Sequence, residues 1–139
     1  MSGEVLARKV AAIRARTARV RELLPATVDE FLAHRTEAEA LILNLYLALQ
    51  ECSDLALHLV AAMGLGVPGE PRAAFELLAR SNVISAPQAR ALSAAVGLRN
   101  RIAHEYGGLD LAKIYAAAKH DLGDLDAYAD RIARVRLEA

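Results

Sequence analysis

Apolar side chains recur at alternating spacings of four and three residues along most of this chain, and this periodicity constrains the fold more than any other feature. The first stretch carries Leu6, Val10, Ile13, Thr17, Val20 and Leu24. Residues with this spacing share one face of an α-helix. Ala and Leu, which both favour helix, supply 52 of the 139 residues. The sequence therefore predicts an all-α fold.

Helix-breaking and helix-capping residues divide the chain into segments. The first helix should end before Pro25, and a capping-box spacing that begins at Thr27 predicts the start of a long second pattern, which runs to Met63. This pattern allows a break near residues 34–37. Five glycines and prolines within residues 64–71 mark a loop.

Three further helices complete the predicted architecture. A short one spans residues 71–80, and the next begins after its N-cap, Ser85, and ends at Gly107. The last begins near Asp110 and carries one nearly heptad apolar stripe as far as Ile132. Four main helices and one short helix predict a four-helix up-down bundle that occupies residues 1–139 as a single domain.

The composition indicates a reducing compartment. A single cysteine, Cys52, excludes an intramolecular disulfide and is expected in the core, and the N-terminus lacks the pattern of an export signal. The apolar run at residues 41–49 is interrupted by Asn44 and followed by Gln50 and Glu51. We therefore expect no segment with the roughly 18 apolar residues that span a bilayer. The expected location is cytoplasmic, with no membrane association.

Positive charge is concentrated near the N-terminus although the formal net charge is zero. Within residues 1–21, six basic side chains stand against one acidic side chain. Such a patch attracts polyanions, and it includes Arg14 and Arg16. A solvated helix face explains the same charges without a ligand. Both interpretations stay open on charge alone.

The segment LRNRIAHEYGG, residues 98–108, gathers the most reactive side chains of the chain at a helix end. On a helical wheel, Arg99 lies on the apolar face, whereas Arg101 points to the opposite side. An unpaired charge on a buried face is costly. Arg99 therefore needs an anion, an exit at the edge of the face, or a partner subunit. Pairing with Asp54 is the simplest structural alternative.

Asn100, His104 and Tyr106 complete this group. Asn100 and His104 are four residues apart, so they share one flank of the helix, where the amide can orient the imidazole. Tyr106 follows the last regular turn, and the glycines after it leave its phenol free to fold back beside the histidine. A histidine beside a fixed cation suits acid–base catalysis through an anionic transition state.

The spacing of Arg99, His104 and Tyr106 resembles the Arg-x-x-x-x-His-x-Tyr signature of HEPN-domain proteins. The surrounding segments resemble the HepT toxins of MntA–HepT toxin–antitoxin systems. They are ALHLV at residues 56–60, the Gly/Pro loop, FELLARSNVIS at residues 75–85 and the restart at residues 110–115. The similarity covers residues 31–132 and is weakest in the arginine-rich N-terminus.

This resemblance implies a HEPN-type four-helix up-down bundle with one additional short helix, which forms a symmetric homodimer. It implies the toxin of a type VII toxin–antitoxin system, a metal-independent endoribonuclease whose composite site lies at the dimer interface. Arg99 and His104 would be catalytic, and Asn100 would support them. With RNA as the substrate, the candidate RNA contacts are Arg101, Arg14 and Arg16. Transfer RNA and messenger RNA both stay open as targets.

In these toxins the motif tyrosine accepts AMP from the MntA nucleotidyltransferase, and this modification inactivates the toxin. The resemblance therefore implies AMPylation of Tyr106 and a nucleotidyltransferase antitoxin as the partner. An added nucleotide would block the groove and place phosphate beside Arg99. The resemblance implies no cofactor.

Two other functions compete with this interpretation. A catalytically inactive HEPN adaptor would bind a nucleotidyltransferase partner, and a purely structural bundle would carry the motif by chance. The complete pair of Arg99 and His104 favours catalysis, because an adaptor has no physical need for a titrating base beside a fixed cation.

The remaining polar and aromatic residues have simpler explanations. The acid–histidine pairs Glu30/His34 and Asp54/His58 have helical spacing, but surface ion pairs are favoured over a metal site. The four aspartates within residues 121–130 lack calcium-loop spacing and predict a solvated face. Three tyrosines are expected to pack with their hydroxyls at the edge of the core. They are Tyr46, Tyr115 and Tyr128.

Overall fold

The computed structural model describes residues 2–137, apart from the side chain of Tyr106. Within this range the chain forms seven α-helices and one 3-10 turn, without a strand. The helices are α1 (Gly3–Leu23), α2 (Val28–Ala33), α3 (Arg35–Ala62), α4 (Pro71–Arg80), α5 (Ala86–His104), α6 (Leu111–His120) and α7 (Leu122–Ala133), and the turn spans Tyr106–Gly108. The predicted all-α class is confirmed.

Side-chain caps fix the starts of the helices that the sequence located. The Thr27 hydroxyl accepts the Glu30 N–H at 3.2 Å at the start of α2. Ser85 and Gln88 bond reciprocally at the start of α5, at 3.1 Å and 3.0 Å. A cap of this kind contributes about 1 kcal/mol. The start of α5 is thus fixed chemically, which sets the direction of every side chain along it.

Two breaks divide segments that follow one continuous apolar pattern in the sequence. The long second pattern breaks at His34, which separates α2 from α3, as the sequence allowed. The single last helix that we predicted is wrong, because the chain divides at Asp121 into α6 and α7. The division lets α6 pack against α2 while α7 packs against α1 and α5. The apolar stripe of residues 111–132 therefore serves two sets of neighbours.

The central helix is α3, which packs against α1, α2, α4 and α5. By length and composition alone α3 could cross a membrane, so the expectation that no segment is apolar enough is wrong. However, 56% of its most apolar window is buried inside the bundle. These side chains thus form the core against which α5 is placed.

Two tyrosines are tied to backbone carbonyls inside the bundle. Tyr128 is fully buried, and its hydroxyl donates to the Cys52 carbonyl oxygen at 3.1 Å. The hydroxyl of Tyr115 donates to the Pro25 carbonyl oxygen at 2.9 Å. The expectation that the tyrosine hydroxyls lie at the edge of the core is wrong for Tyr128, because a backbone acceptor satisfies its hydroxyl internally.

Cys52 is buried, as predicted. Burial, and secondarily the charge of Glu51, raises the pKa of its thiol well above the ordinary value. The folded state therefore holds this proton more tightly, so the thiol's contribution to stability is complete below the ordinary thiol pKa and is lost as the pH rises above it. We expect iodoacetamide to alkylate Cys52 at least about 100-fold more slowly in the folded than in the urea-unfolded protein. Equal rates by intact mass would contradict the burial.

Candidate active site

The last two turns of α5 carry the charged residues of the motif. The helix ends at His104, and the Glu105 N–H bonds back to the Arg101 carbonyl oxygen at 2.8 Å. The final carbonyl groups of a helix carry partial negative charge, which favours cations nearby. The end of α5 therefore suits the arginines that lie on it.

Arg99 and Asn100 are joined in this structure. Arg99 is half-buried, and its Nη1 donates to Oδ1 of Asn100 at 3.0 Å. Its Nε is buried and has no hydrogen-bond partner among the described residues. A buried donor without a partner costs about 1–3 kcal/mol. The guanidinium is thus held in place on one side and keeps an unsatisfied donor on the other.

Two predicted contacts, that of Arg99 with Asp54 and that of Asn100 with His104, are replaced by other contacts in the structure. Asp54 accepts from Nε2 of Gln50 at 3.1 Å instead of pairing with Arg99. Asn100 orients Arg99 and not the imidazole of His104, which corrects the expected amide–imidazole contact. His104 itself is exposed. Its ring is therefore accessible to a ligand, whereas Arg99 is positioned by the protein.

Arg101 lies on another side of α5, as the helical wheel predicts. It is exposed, and its Nη1 lies 3.7 Å from the position that a Cβ on Gly97 would occupy. Its guanidinium therefore lies back along the helix and lines a cleft between α5 and the α6–α7 pair. Arg99 and Arg101 thus serve different surfaces.

Tyr106 follows directly after this helix end. Its backbone begins the 3-10 turn, which is closed by a 2.8 Å bond from the Gly108 N–H to the Glu105 carbonyl oxygen. The predicted return of the phenol toward His104 lies outside the described residues, because the side chain of Tyr106 is not among them. Position 106 therefore lies in the turn that follows the end of α5.

An apolar groove lies beside the motif between α3 and α5. It has a volume of about 510 Å³ and is lined by Glu39, Ala40, Ile42, Leu43, Tyr46, Ile102 and Ala103. Leu43 is 56% exposed, which is unusual for a leucine next to a core helix. Sequence reasoning missed this groove. Its signal is that Leu43 falls well outside the wheel sector shared by Leu41 and Leu45.

The basic residues of α1 are largely engaged by other side chains. Nη2 of Arg14 lies 2.9 Å from Oδ1 of Asp130, and Arg21 also pairs with α7. Nη1 of Arg16 donates to Oδ1 of Asn44 at 3.1 Å. Part of the predicted positive patch is therefore neutralised by the acidic face of α7. RNA binding by Arg14 and Arg16 stays a prediction.

The acid–histidine pairs Glu30/His34 and Asp54/His58 are the other candidate metal ligands of the chain. Among the described residues, no group of three or more His, Cys, Asp or Glu side chains is placed to hold a metal ion. Nδ1 of His34 lies 2.8 Å from the backbone carbonyl oxygen of Glu30. This pair therefore meets through the backbone and not through the carboxylate.

Comparison with known proteins gives matches that span most of the chain. A family model described as Ribonuclease HepT-like matches residues 13–132. The mRNA nuclease HepT of Shewanella oneidensis is 31% identical over 129 residues, which are 93% of this chain and 96% of that protein.

Solved structures extend the similarity to three dimensions. A chain in a crystal structure of a toxin–antitoxin with AMP-PNP is 30% identical and has a TM-score of 0.83 over 92% of this chain and 97% of its own length. A tri-AMPylated Shewanella oneidensis HEPN toxin in complex with MNT antitoxin is 31% identical and has a TM-score of 0.84 over 92% of this chain and 96% of its own. The Bacillus subtilis protein YutE shares the fold alone, with a TM-score of 0.80 at 14% identity over 93% of this chain and 86% of its own.

Proposed function

This chain belongs to the HepT-like ribonuclease family, and from that premise we propose that the end of α5 is the active site of a metal-independent endoribonuclease. The chain is the ribonuclease toxin of a toxin–antitoxin pair, and a nucleotidyltransferase is its partner protein. The resemblance drawn from Arg99, His104 and Tyr106 is thus confirmed for family and activity. The site assignment is carried by Arg99, whose buried Nε has no hydrogen-bond partner among the described residues and which lies five residues before the exposed His104.

The proposed reaction is an internal phosphoryl transfer in RNA. His104 accepts the proton of a ribose 2′-hydroxyl, the 2′-oxygen forms a bond to phosphorus, and the bond from phosphorus to the 5′-oxygen breaks. The leaving 5′-oxygen takes a proton from the imidazolium of His104 in a second copy of the chain, and the upstream strand ends in a 2′,3′-cyclic phosphate. Arg99, held by Asn100, stabilises the negative charge that develops at phosphorus. Cleavage in excess chelator tests this assignment, and a strict need for added metal would contradict it.

A second copy of the chain completes the proposed site. Leu43, Tyr46 and Ala103 line the apolar groove beside the last turn of α5. Chains in water tend to cover exposed apolar surface of this kind. A two-fold axis across the groove would bring two motif helices together, so that the two copies of His104 supply one base and one acid. It would also place the neighbouring subunit beside the half-buried Arg99.

Tyr106 is the proposed acceptor of AMP, by analogy with the AMPylated relative. We expect coexpression with the cognate nucleotidyltransferase to add mass in steps of one AMP. Tyr106→Phe should abolish these steps, because it removes the nucleophilic hydroxyl, while RNA cleavage persists. Tyr46→Phe is the matched control, since Tyr46 is another partly exposed tyrosine, which lines the apolar groove, and phenylalanine keeps its ring while it removes the hydroxyl. Mass steps that persist in Tyr106→Phe, or that vanish in the control, would refute the assignment.

Arg14 and Arg16 are the proposed RNA contacts on α1. For the double variant Arg14→Glu/Arg16→Glu we expect about tenfold weaker RNA binding at low salt, and a slope of log K against log salt that is shallower by about one to two. Arg72→Glu/Arg90→Glu makes the same charge change on the exposed surface of α4 and α5. A salt slope equal to that of this control would reduce α1 to an ordinary solvated face.

A further inference from the structure

The cleft between α5 and the α6–α7 pair is separate from the apolar groove between α3 and α5, since the two share no lining residue. Its volume is about 440 Å³, which lies within the range of small-molecule sites. The apolar part of its lining includes Leu45, Leu49, Leu98 and Leu125. The flat faces of an aromatic base are largely apolar, so an aliphatic lining of this kind can bury them.

The charged residues of the rim are distributed unevenly. Arg101 and Lys113 line the end nearest the motif, because only residues 105–110 connect α5 to α6. His120, Asp121 and Asp124 line the other end, about 10 Å further along α6. A phosphate is attracted to the first end and repelled by the carboxylates of the second. A ligand with one phosphate and one planar apolar group is therefore oriented by the cleft.

The position of Arg101 connects this cleft to the proposed active site. Arg101 precedes His104 by three residues, which is less than one helical turn. The guanidinium of Arg101 lies back over Gly97 and lines the cleft. An RNA strand that contacts His104 at the end of α5 therefore has Arg101 within one helical turn.

We propose that this cleft binds one nucleotide of the substrate RNA adjacent to the cleaved phosphate. The inference rests on the proposed ribonuclease function and deepens it by adding a subsite. The base lies in the apolar cleft, and the phosphate of that nucleotide contacts Arg101 and Lys113. Asp121 and Asp124 accept hydrogen bonds from an exocyclic amino group at the far edge of the base.

Steady-state cleavage of an oligoribonucleotide tests the subsite. Lys113→Gln removes a rim charge, and Ala94→Leu fills the cleft from an exposed position without disturbing the core. For each we expect KM to rise about tenfold, by far more than kcat falls. The controls are Lys119→Gln, the same charge change on α6, and Ala127→Leu, an exposed alanine of α7; neither residue lines the cleft. Their KM values should stay within about twofold of the wild type.

Direct binding of adenosine 5′-monophosphate separates this inference from the ribonuclease assignment. In nitrogen-15 spectra of the full chain, we expect the largest shifts at the amides of Ala94, Ala116 and Ala117, and weaker binding by Lys113→Gln. If RNA is not cleaved while these shifts occur, the ribonuclease assignment fails and nucleotide binding in the cleft is supported.

Two outcomes would overturn the subsite. One is RNA cleavage with unchanged KM in Lys113→Gln and Ala94→Leu, together with nucleotide-induced shifts outside the cleft. The other is unchanged KM with weaker capture of the cognate nucleotidyltransferase by both variants, which would assign the cleft to the protein partner.

Discussion

Replacement of Leu43 by aspartate should convert the proposed homodimer into monomers and lower RNA cleavage by at least about 100-fold. A buried leucine contributes about 1.5–3 kcal/mol, and an unpaired carboxylate in its place adds a further cost. A two-fold axis repeats the change in both subunits, so the total exceeds the 2.7 kcal/mol or so that corresponds to a factor of 100. Leu43 is 56% exposed in the monomer, so the fold itself should survive.

Light scattering after size-exclusion chromatography measures the mass, and circular dichroism checks the helix content. Val67→Asp is the matched control, because Val67 is fully exposed in the loop between α3 and α4 and lies outside the groove. A monomeric Leu43→Asp variant that cuts RNA at the normal rate would rule out a composite site. A variant that remains a dimer would place the interface on another face.

Most helix boundaries could be predicted because each has a local chemical cause. Pro25 cannot continue α1, Pro71 starts α4, and Ser85 caps α5. The division at Asp121 could not be predicted in this way. Its φ of −106° and ψ of −5° are close to helical, so no strong local signal marks it. Tertiary contacts decide the division, since α6 and α7 pack against different helices.

In the candidate site, too, only the features with a local cause in the sequence could be predicted. The helical wheel placed Arg99 and Arg101 on different sides of α5, which the structure confirms. The bond from Arg99 to Asn100 was not predictable, because adjacent helix residues do not normally face each other and their contact depends on rotamers. Leu43 and Lys113 belong to other helices. Only the packing of those helices brings their side chains to the surfaces beside the motif.

The second large effect is expected at the catalytic pair. Arg99→Lys and His104→Ala should each lower kcat by about 100- to 1,000-fold. Lysine keeps the charge of Arg99 but loses the planar fork that meets Asn100 and a phosphate together. His104 is exposed, so its truncation removes a catalytic group without removing core packing. Rates at saturating RNA, with melting temperatures measured in parallel, separate catalysis from stability.

Two substitutions outside the motif control for the loss of a histidine and for the exchange of arginine for lysine. His58→Ala removes another exposed histidine, on α3, and Arg90→Lys makes the arginine-to-lysine change on the exposed part of α5. Both should keep kcat within about twofold of the wild type. If the melting temperature of Arg99→Lys falls by several degrees while its kcat is unchanged, Arg99 stabilises the fold and does not stabilise charge at the phosphate.

The most direct measurement is cleavage of cellular RNA by the wild-type chain in excess chelator, with His104→Ala in parallel and chemical analysis of the new ends. Intact mass first verifies that the protein carries no AMP. The account predicts that only the wild type cuts and that the new 3′ ends carry 2′,3′-cyclic phosphate. Equal cutting by His104→Ala would contradict the role of His104. No cutting by the unmodified wild type would contradict the ribonuclease and favour an adaptor that only binds the nucleotidyltransferase.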